Sequence, residues 1–257
     1  MHRSRLVGDR PCCGCEFRRA SQFDPSQVAA VDKAAAAFAQ LGKDAYKTGK
    51  PPRVSDPKAA KLLDVIFGTA KLNDGADPVP FAQLDKLNDW LLRVLQTGLV
   101  YVCAGTGIAD LGKVASVDEK AQEQIALNLV SFAPEIGRYY DAQLAVSHAE
   151  SDTIMVEMAA HPDRFKSDQV MHGLATTRDG LTRTLIGVVT SFPTPGLEAA
   201  WIRDREAALM AIAPTAVKFL GADSRKRIVA AAQQVADRMG DPGVKDGLIA
   251  FTNTIAP

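Results

Sequence analysis

Residues 241–255 have the sequence DPGVKDGLIAFTNTI, which shows how this chain marks the start of a helix. The Asp241 side chain can accept hydrogen bonds from the free N–H groups of a first helical turn, and Pro242 suits the position where no N–H is needed. The same Asp-Pro pair opens two other stretches, at Asp24 and Asp56. The apolar residues after Pro242 recur at the spacing of one helix face and are Val244, Leu248, Phe251 and Ile255. This repeated pattern predicts an all-α protein, a multi-helix bundle of about eight to ten helices.

The two longest helices are expected at about 135–160 and 164–191, with His161-Pro162-Asp163 as the turn between them. A turn this short makes consecutive helices antiparallel neighbours. We therefore expect the bundle to be built around a long antiparallel helical hairpin. Further along, the pattern predicts separate helices at about 196–212 and 215–220, divided near Pro214.

With 257 residues, of which 47% are hydrophobic and 23% charged, the chain has the composition of a soluble globular protein. Its 30 basic and 30 acidic side chains cancel, which argues against a nucleic-acid partner or an anionic membrane surface. No stretch approaches the roughly 20 apolar residues that a membrane span requires, and the N-terminus lacks the apolar segment of a signal peptide. We expect a cytoplasmic protein. An exported protein is the alternative if a misassigned start codon has displaced a signal peptide.

Residues 1–22 differ from the rest of the chain, because Cys12, Cys13 and Cys15 lie there among several arginines. Three thiols with no second cysteine pair downstream do not complete a zinc site of the usual kind. We expect a disordered, basic, cysteine-containing tail, with a metal site or redox switch as the alternative. Residues 23–257 are expected to form a single all-helical domain.

Four side chains on the expected hairpin are of types that bind metal ions. His148 and Asp152 are four residues apart on the first arm, and Asp168 and His172 are four apart on the second, so each pair shares a helix face. An antiparallel hairpin could bring the two pairs opposite each other, where imidazole and carboxylate groups would suit zinc or iron-type ions. The alternative is two solvated helix faces, because both pairs lie away from the apolar stripes.

Arg178 interrupts the apolar stripe of the second arm, and a buried guanidinium requires partners. Polar residues across the hairpin fall on or beside the core face. The expected ligand-binding residues are therefore Arg178, Ser147, Glu150, Ser151 and Thr177. Three interpretations remain open for Arg178: a polar pocket for an anion or carboxylate, an internal salt bridge to Glu150 or Asp141, and an arginine that reaches the surface. A local helix break at Gly180 is a further alternative.

Two other charged motifs receive structural interpretations. Residues 107–113 fit the GxxxxGK spacing of a phosphate-binding loop, but Val114 stands where the magnesium-binding Ser or Thr is needed. We expect a loop between helices there. The run Arg203-Asp204-Arg205-Glu206 alternates in charge and is expected to form ion pairs at the surface.

No motif identifies a reaction or a cofactor, and the oligomeric state cannot be named from the sequence. The leading hypothesis is a non-enzymatic scaffold or binding protein for a protein partner or a small organic ligand. The alternative is an enzyme or metal-binding protein that uses the polar residues of the hairpin.

Overall fold

The computed structural model describes residues 23–69, 72, 77–110, 118–195 and 199–257. In these ranges the chain forms ten α-helices and no strand, which confirms the predicted all-α class. The expected tail at residues 1–22, with its three cysteines, lies outside the described residues. The helices are α1 (Pro25–Leu41), α2 (Ala45–Thr48), α3 (Pro57–Ile66), α4 (Leu84–Val102), α5 (Glu119–Ser131), α6 (Ala133–Ala160), α7 (Asp168–Thr190), α8 (Ala199–Phe219), α9 (Ala222–Ala236) and α10 (Pro242–Ile255). Short 3-10 turns at Phe81–Gln83 and Pro162–Phe165 precede α4 and α7.

The Asp-Pro pairs begin helices as the sequence predicts. Asp24, Asp56 and Asp241 each accept a hydrogen bond from the backbone N–H two residues ahead, at 2.8 to 2.9 Å. The following proline occupies the first turn of α1, α3 and α10. Each aspartate thus satisfies an N–H group that the helix itself leaves without a partner.

Pro214 lies inside α8, so the predicted division of this segment into two helices is wrong. A proline ring removes one helical hydrogen bond and crowds the preceding turn. However, Ile212 and Ala216, on either side of it, are both fully buried in the same core. Because both halves of the segment pack against one core, the helix continues through the proline.

The core consists of two hydrophobic clusters. The first cluster joins α1, α3 and α4 to α6, and its fully buried members include Leu63, Leu87 and Tyr101. The second cluster joins α7, α8, α9 and α10, and Leu144 and Ile154 of α6 belong to it. α6 therefore contributes to both clusters.

The long helices α6 and α7 have 28 and 23 residues and are separated by the turn at 162–165. They contact each other, and Gln143 Nε2 donates a hydrogen bond to Thr184 Oγ1 at 2.8 Å. α6 contacts α4 more extensively, and it also contacts α8. A bundle built around an α6–α7 hairpin therefore stays a prediction. α7 is continuous through Gly180, so a helix break there is excluded. None of the described helices combines the length and the apolar character that a bilayer crossing requires.

Candidate functional site

A groove with two adjoining chambers lies between α4, α6 and α7. The polar chamber has a volume of about 290 Å³. The polar side chains that line it include Asn88 of α4, Ser147, Glu150 and Ser151 of α6, and Thr176 and Thr177 of α7. The apolar chamber, of about 240 Å³, shares Asn88, Glu150 and Thr177 with it. Its remaining walls are apolar and include Phe81, Leu84, Ile154, Phe165 and Leu174.

Glu150 lines both chambers and is only 7% exposed. Among the described residues it has no hydrogen-bond or ion-pair partner. Burial raises the pKa of this carboxyl to about 7, because a charged carboxylate loses hydration there without gaining a partner. A cationic or hydrogen-bond-donating group that entered the groove would supply the missing partner.

Ser151 presents a second polar group without a partner. It is fully buried, and no described residue hydrogen-bonds to its Oγ. A buried hydroxyl without a hydrogen bond costs on the order of 1–3 kcal/mol. The polar chamber thus contains two buried polar side chains, Glu150 and Ser151, whose hydrogen bonds the described protein groups do not provide.

The threonines of α7 present oxygen atoms to the groove. Thr176 Oγ1 and Thr177 Oγ1 each donate to a backbone carbonyl four residues earlier, at 3.1 and 3.2 Å. Such bonds within a helix use the hydroxyl proton and leave the oxygen lone pairs. In these positions both threonines can serve a ligand as hydrogen-bond acceptors.

Two glycines of α7 leave parts of the groove wall without a side chain. A Cβ atom at Gly173 or Gly180 would meet no other described atom within 4 Å, and these residues line the apolar and the polar chamber respectively. Elsewhere, close packing explains glycines inside helices, because a Cβ would lie 3.0 Å or less from a neighbouring helix's side chain at Gly98, Gly137, Gly187 and Gly247. Glycine inside a helix costs about 0.5–1 kcal/mol relative to alanine. At Gly173 and Gly180 that cost leaves open space instead of closer packing.

Arg178 does not belong to the groove, contrary to its expected place among the ligand-binding residues. Its guanidinium lies 5.4 Å from the centre of the Phe219 ring in α8, and it lines neither chamber. Successive helix residues are rotated by about 100°, so Thr177 faces the groove while Arg178 turns to α8. No salt bridge joins Arg178 to Glu150 or Asp141. The structure brings together the other four expected residues, Ser147, Glu150, Ser151 and Thr177.

The expected metal ligands occupy two separate places. His148 Nε2 lies 3.3 Å from Asp152 Oδ2, and Thr215 of α8 donates to Asp152 Oδ1 at 2.7 Å. Burial alone would raise the pKa of Asp152, but the hydrogen bonds from His148 and Thr215, together with the charges of His148 and Lys218, outweigh burial and lower it. Asp168 and His172 are exposed on α7. Within the described ranges no three or more His, Cys, Asp or Glu side chains are grouped to hold a metal ion, so the expected four-residue cluster does not form.

Among the arginines that the structure describes, Arg205 is the buried one, although the sequence suggested a surface ion pair. It is 2% exposed and lies over the Trp201 ring, 3.9 Å from its centre. Its guanidinium donates to Asp141 Oδ1 at 2.8 Å, to Ser191 Oγ at 2.7 Å and to the Gly137 carbonyl at 3.0 Å. These bonds connect α8 to α6 and to the end of α7, which is a structural role. The alternating charges around Arg205 gave no sign of its burial.

Comparison of the chain with protein-family models, with curated proteins and with solved structures gives no match.

Proposed function

We propose that this chain is a non-enzymatic binding protein that holds a small organic ligand in the groove between α4, α6 and α7. The observation that carries the proposal is Glu150, a buried carboxyl without a partner among the described residues, at the junction of the two chambers. A buried polar group of this kind is costly unless something satisfies it. A bound ligand would do so.

The walls of the groove support the same proposal. Small-molecule sites are concave and mostly apolar, with a few polar groups that fix the ligand's orientation. The polar groups here meet at one end, while Phe81, Ile154 and Leu174 line the other. A ligand with one polar end and an apolar body would complement both chambers.

The experiment is a thermal-shift measurement with a panel of small amines, alcohols and carboxylic acids. Gly180→Phe would place a ring in the polar chamber, since nothing described occupies the space beside Gly180. Ala175→Phe is the matched control, because Ala175 is exposed on the same helix and does not line the groove. We expect panel members to raise the melting temperature of the native chain and the Ala175→Phe variant but not of Gly180→Phe. The proposal fails if no panel member stabilises the native chain, or if all three proteins respond alike.

A further inference from the structure

We infer that the ligand is a small organic amine, with its ammonium group beside the Glu150 carboxylate and its apolar arm in the apolar chamber. This inference rests on the proposed function, because it names the chemical class of ligand for the same groove. Three properties of the groove support an amine over an alcohol, an acid or a metal ion.

The first property is charge. Glu150 is the one ionisable side chain among the described residues that line either chamber. Neither α4 nor α7 nor the turns at 81–83 and 162–165 contributes a charged group to the lining. A carboxylate buried without a counter-ion is costly, and an ammonium group is a compact charge that offsets that cost. An anionic ligand would face Glu150 with a charge of the same sign.

The second property is the balance of hydrogen-bond donors and acceptors. An ammonium group has up to three N–H donors and no acceptor. Around it the polar chamber offers the Glu150 carboxylate and the oxygens of Thr176 and Thr177, whose hydroxyl protons already bond to α7 carbonyls. The Ser151 hydroxyl, which has no described partner, can also accept. The Asn88 and Gln143 amides of this chamber can accept as well as donate, so acceptors predominate and the arrangement complements a group that only donates.

The third property is the apolar chamber beside Glu150. The rings of Phe81 and Phe165 meet edge to face there, with centres 6.2 Å apart, and Leu174 and Ile154 complete the walls. A divalent metal ion would need several oxygen ligands, commonly more than one carboxylate, and would leave this chamber unused. An amine with an alkyl or aryl arm uses both chambers.

The test is isothermal titration calorimetry at pH 8 with n-hexylamine, hexan-1-ol and hexanoate. We expect n-hexylamine to bind the native chain, hexan-1-ol to bind at least about tenfold more weakly, and hexanoate not to bind. Glu150→Gln keeps the side-chain shape and removes the charge, so the affinity for n-hexylamine should fall by about tenfold or more. Glu123→Gln, at an exposed position of α5, is the matched control and should bind like the native chain.

Two further measurements keep the inference testable if Glu150→Gln folds poorly. Thr177→Val removes one acceptor without changing the charge, and it should weaken n-hexylamine binding more than hexan-1-ol binding, because an ammonium group has three N–H donors and a hydroxyl has one. The affinity of the native chain for n-hexylamine should also fall from pH 8 to pH 5, because Glu150 takes up a proton while the amine stays charged.

The outcomes separate this inference from the proposed function. If hexan-1-ol binds as tightly as n-hexylamine and Gly180→Phe abolishes both, the groove binds small molecules but the amine inference is overturned. Unchanged n-hexylamine affinity in a folded Glu150→Gln variant also overturns it. If Gly180→Phe affects the binding of none of the three probes, both the inference and the proposed function fail.

Discussion

The Glu150 carboxyl makes the stability of this protein depend on pH in a direction opposite to that of an ordinary ion-paired carboxylate. Its pKa rises from the usual 4.5 to about 7 on folding, so the folded chain keeps a proton that the unfolded chain releases. The free energy of unfolding therefore has its full value, as far as Glu150 is concerned, below pH 4.5. It declines as the pH rises through about 7. The loss is on the order of 3 kcal/mol in the free energy of unfolding.

We therefore expect Glu150→Gln to gain stability relative to the native chain as the pH rises from 5 to 8. The glutamine cannot ionise, so its variant does not experience the cost of a buried charge. Urea denaturation of both proteins at the two pH values measures the difference, with Glu123→Gln as the exposed control. Parallel stability curves for the native chain and Glu150→Gln would show that Glu150 ionises as easily when folded as when unfolded.

Four of the eight polar residues that line the groove could be predicted from the sequence, because helical spacing determines which residues share a face. Ser147, Glu150 and Ser151 fall beside one another on α6, and Thr177 faces them from α7. The environments of the arginines could not be predicted in this way. Arg178 interrupts an apolar stripe and Arg205 lies in a run of alternating charges, but the position of the neighbouring helices buries Arg205 and leaves Arg178 partly exposed on Phe219. That position depends on contacts between residues far apart in the chain.

At the scale of the helix, α7 has two glycines that local packing does not require. We expect Gly173→Ala and Gly180→Ala each to raise the free energy of unfolding by about 0.5–1 kcal/mol, since alanine favours the helix and its methyl group meets no described atom within 4 Å. Gly98→Ala is the contrasting variant, because its Cβ would lie 2.2 Å from a Tyr139 ring atom. It should lose about 1–3 kcal/mol through overpacking.

Denaturant titrations of these three variants measure the effects. Destabilisation by Gly173→Ala or Gly180→Ala would mean that the wall of the groove packs more tightly than the structure shows, and the open chambers would need revision.

The helix starts were the most predictable features at this scale, since the Asp-Pro signal is local and physical. Each aspartate satisfies backbone N–H groups within its own first turn, whatever the rest of the protein does. The helix interruptions were less predictable. Pro214 is compatible with a continuous α8 because buried residues on both sides hold it in place, and this support comes from α10 and α6, which α8 contacts.

At the scale of the whole molecule, α6 passes through both hydrophobic clusters. Ile136, Ala142 and Val146 pack in the first cluster, and Leu144 and Ile154 pack in the second. The groove lies where α4 of the first cluster faces α7 of the second across α6. Unfolding either cluster would expose one face of α6 and open the groove.

This shared helix predicts that the two clusters unfold together, and the two tryptophans can test it. Trp90 is buried in the first cluster, while Trp201 is on α8, a helix of the second cluster, where it lies over Arg205 and donates a hydrogen bond to Asp141 of α6. In the single-tryptophan variants Trp90→Phe and Trp201→Phe, the fluorescence of the remaining tryptophan should change at the same urea concentration as the far-ultraviolet circular dichroism. Each variant is compared only with itself, so the stability lost through the substitution does not affect the comparison. An early transition of Trp90 would mean that the first cluster unfolds separately, and an early transition of Trp201 would mean that α8 separates from α6 first. Either result would show that α6 does not couple the two halves.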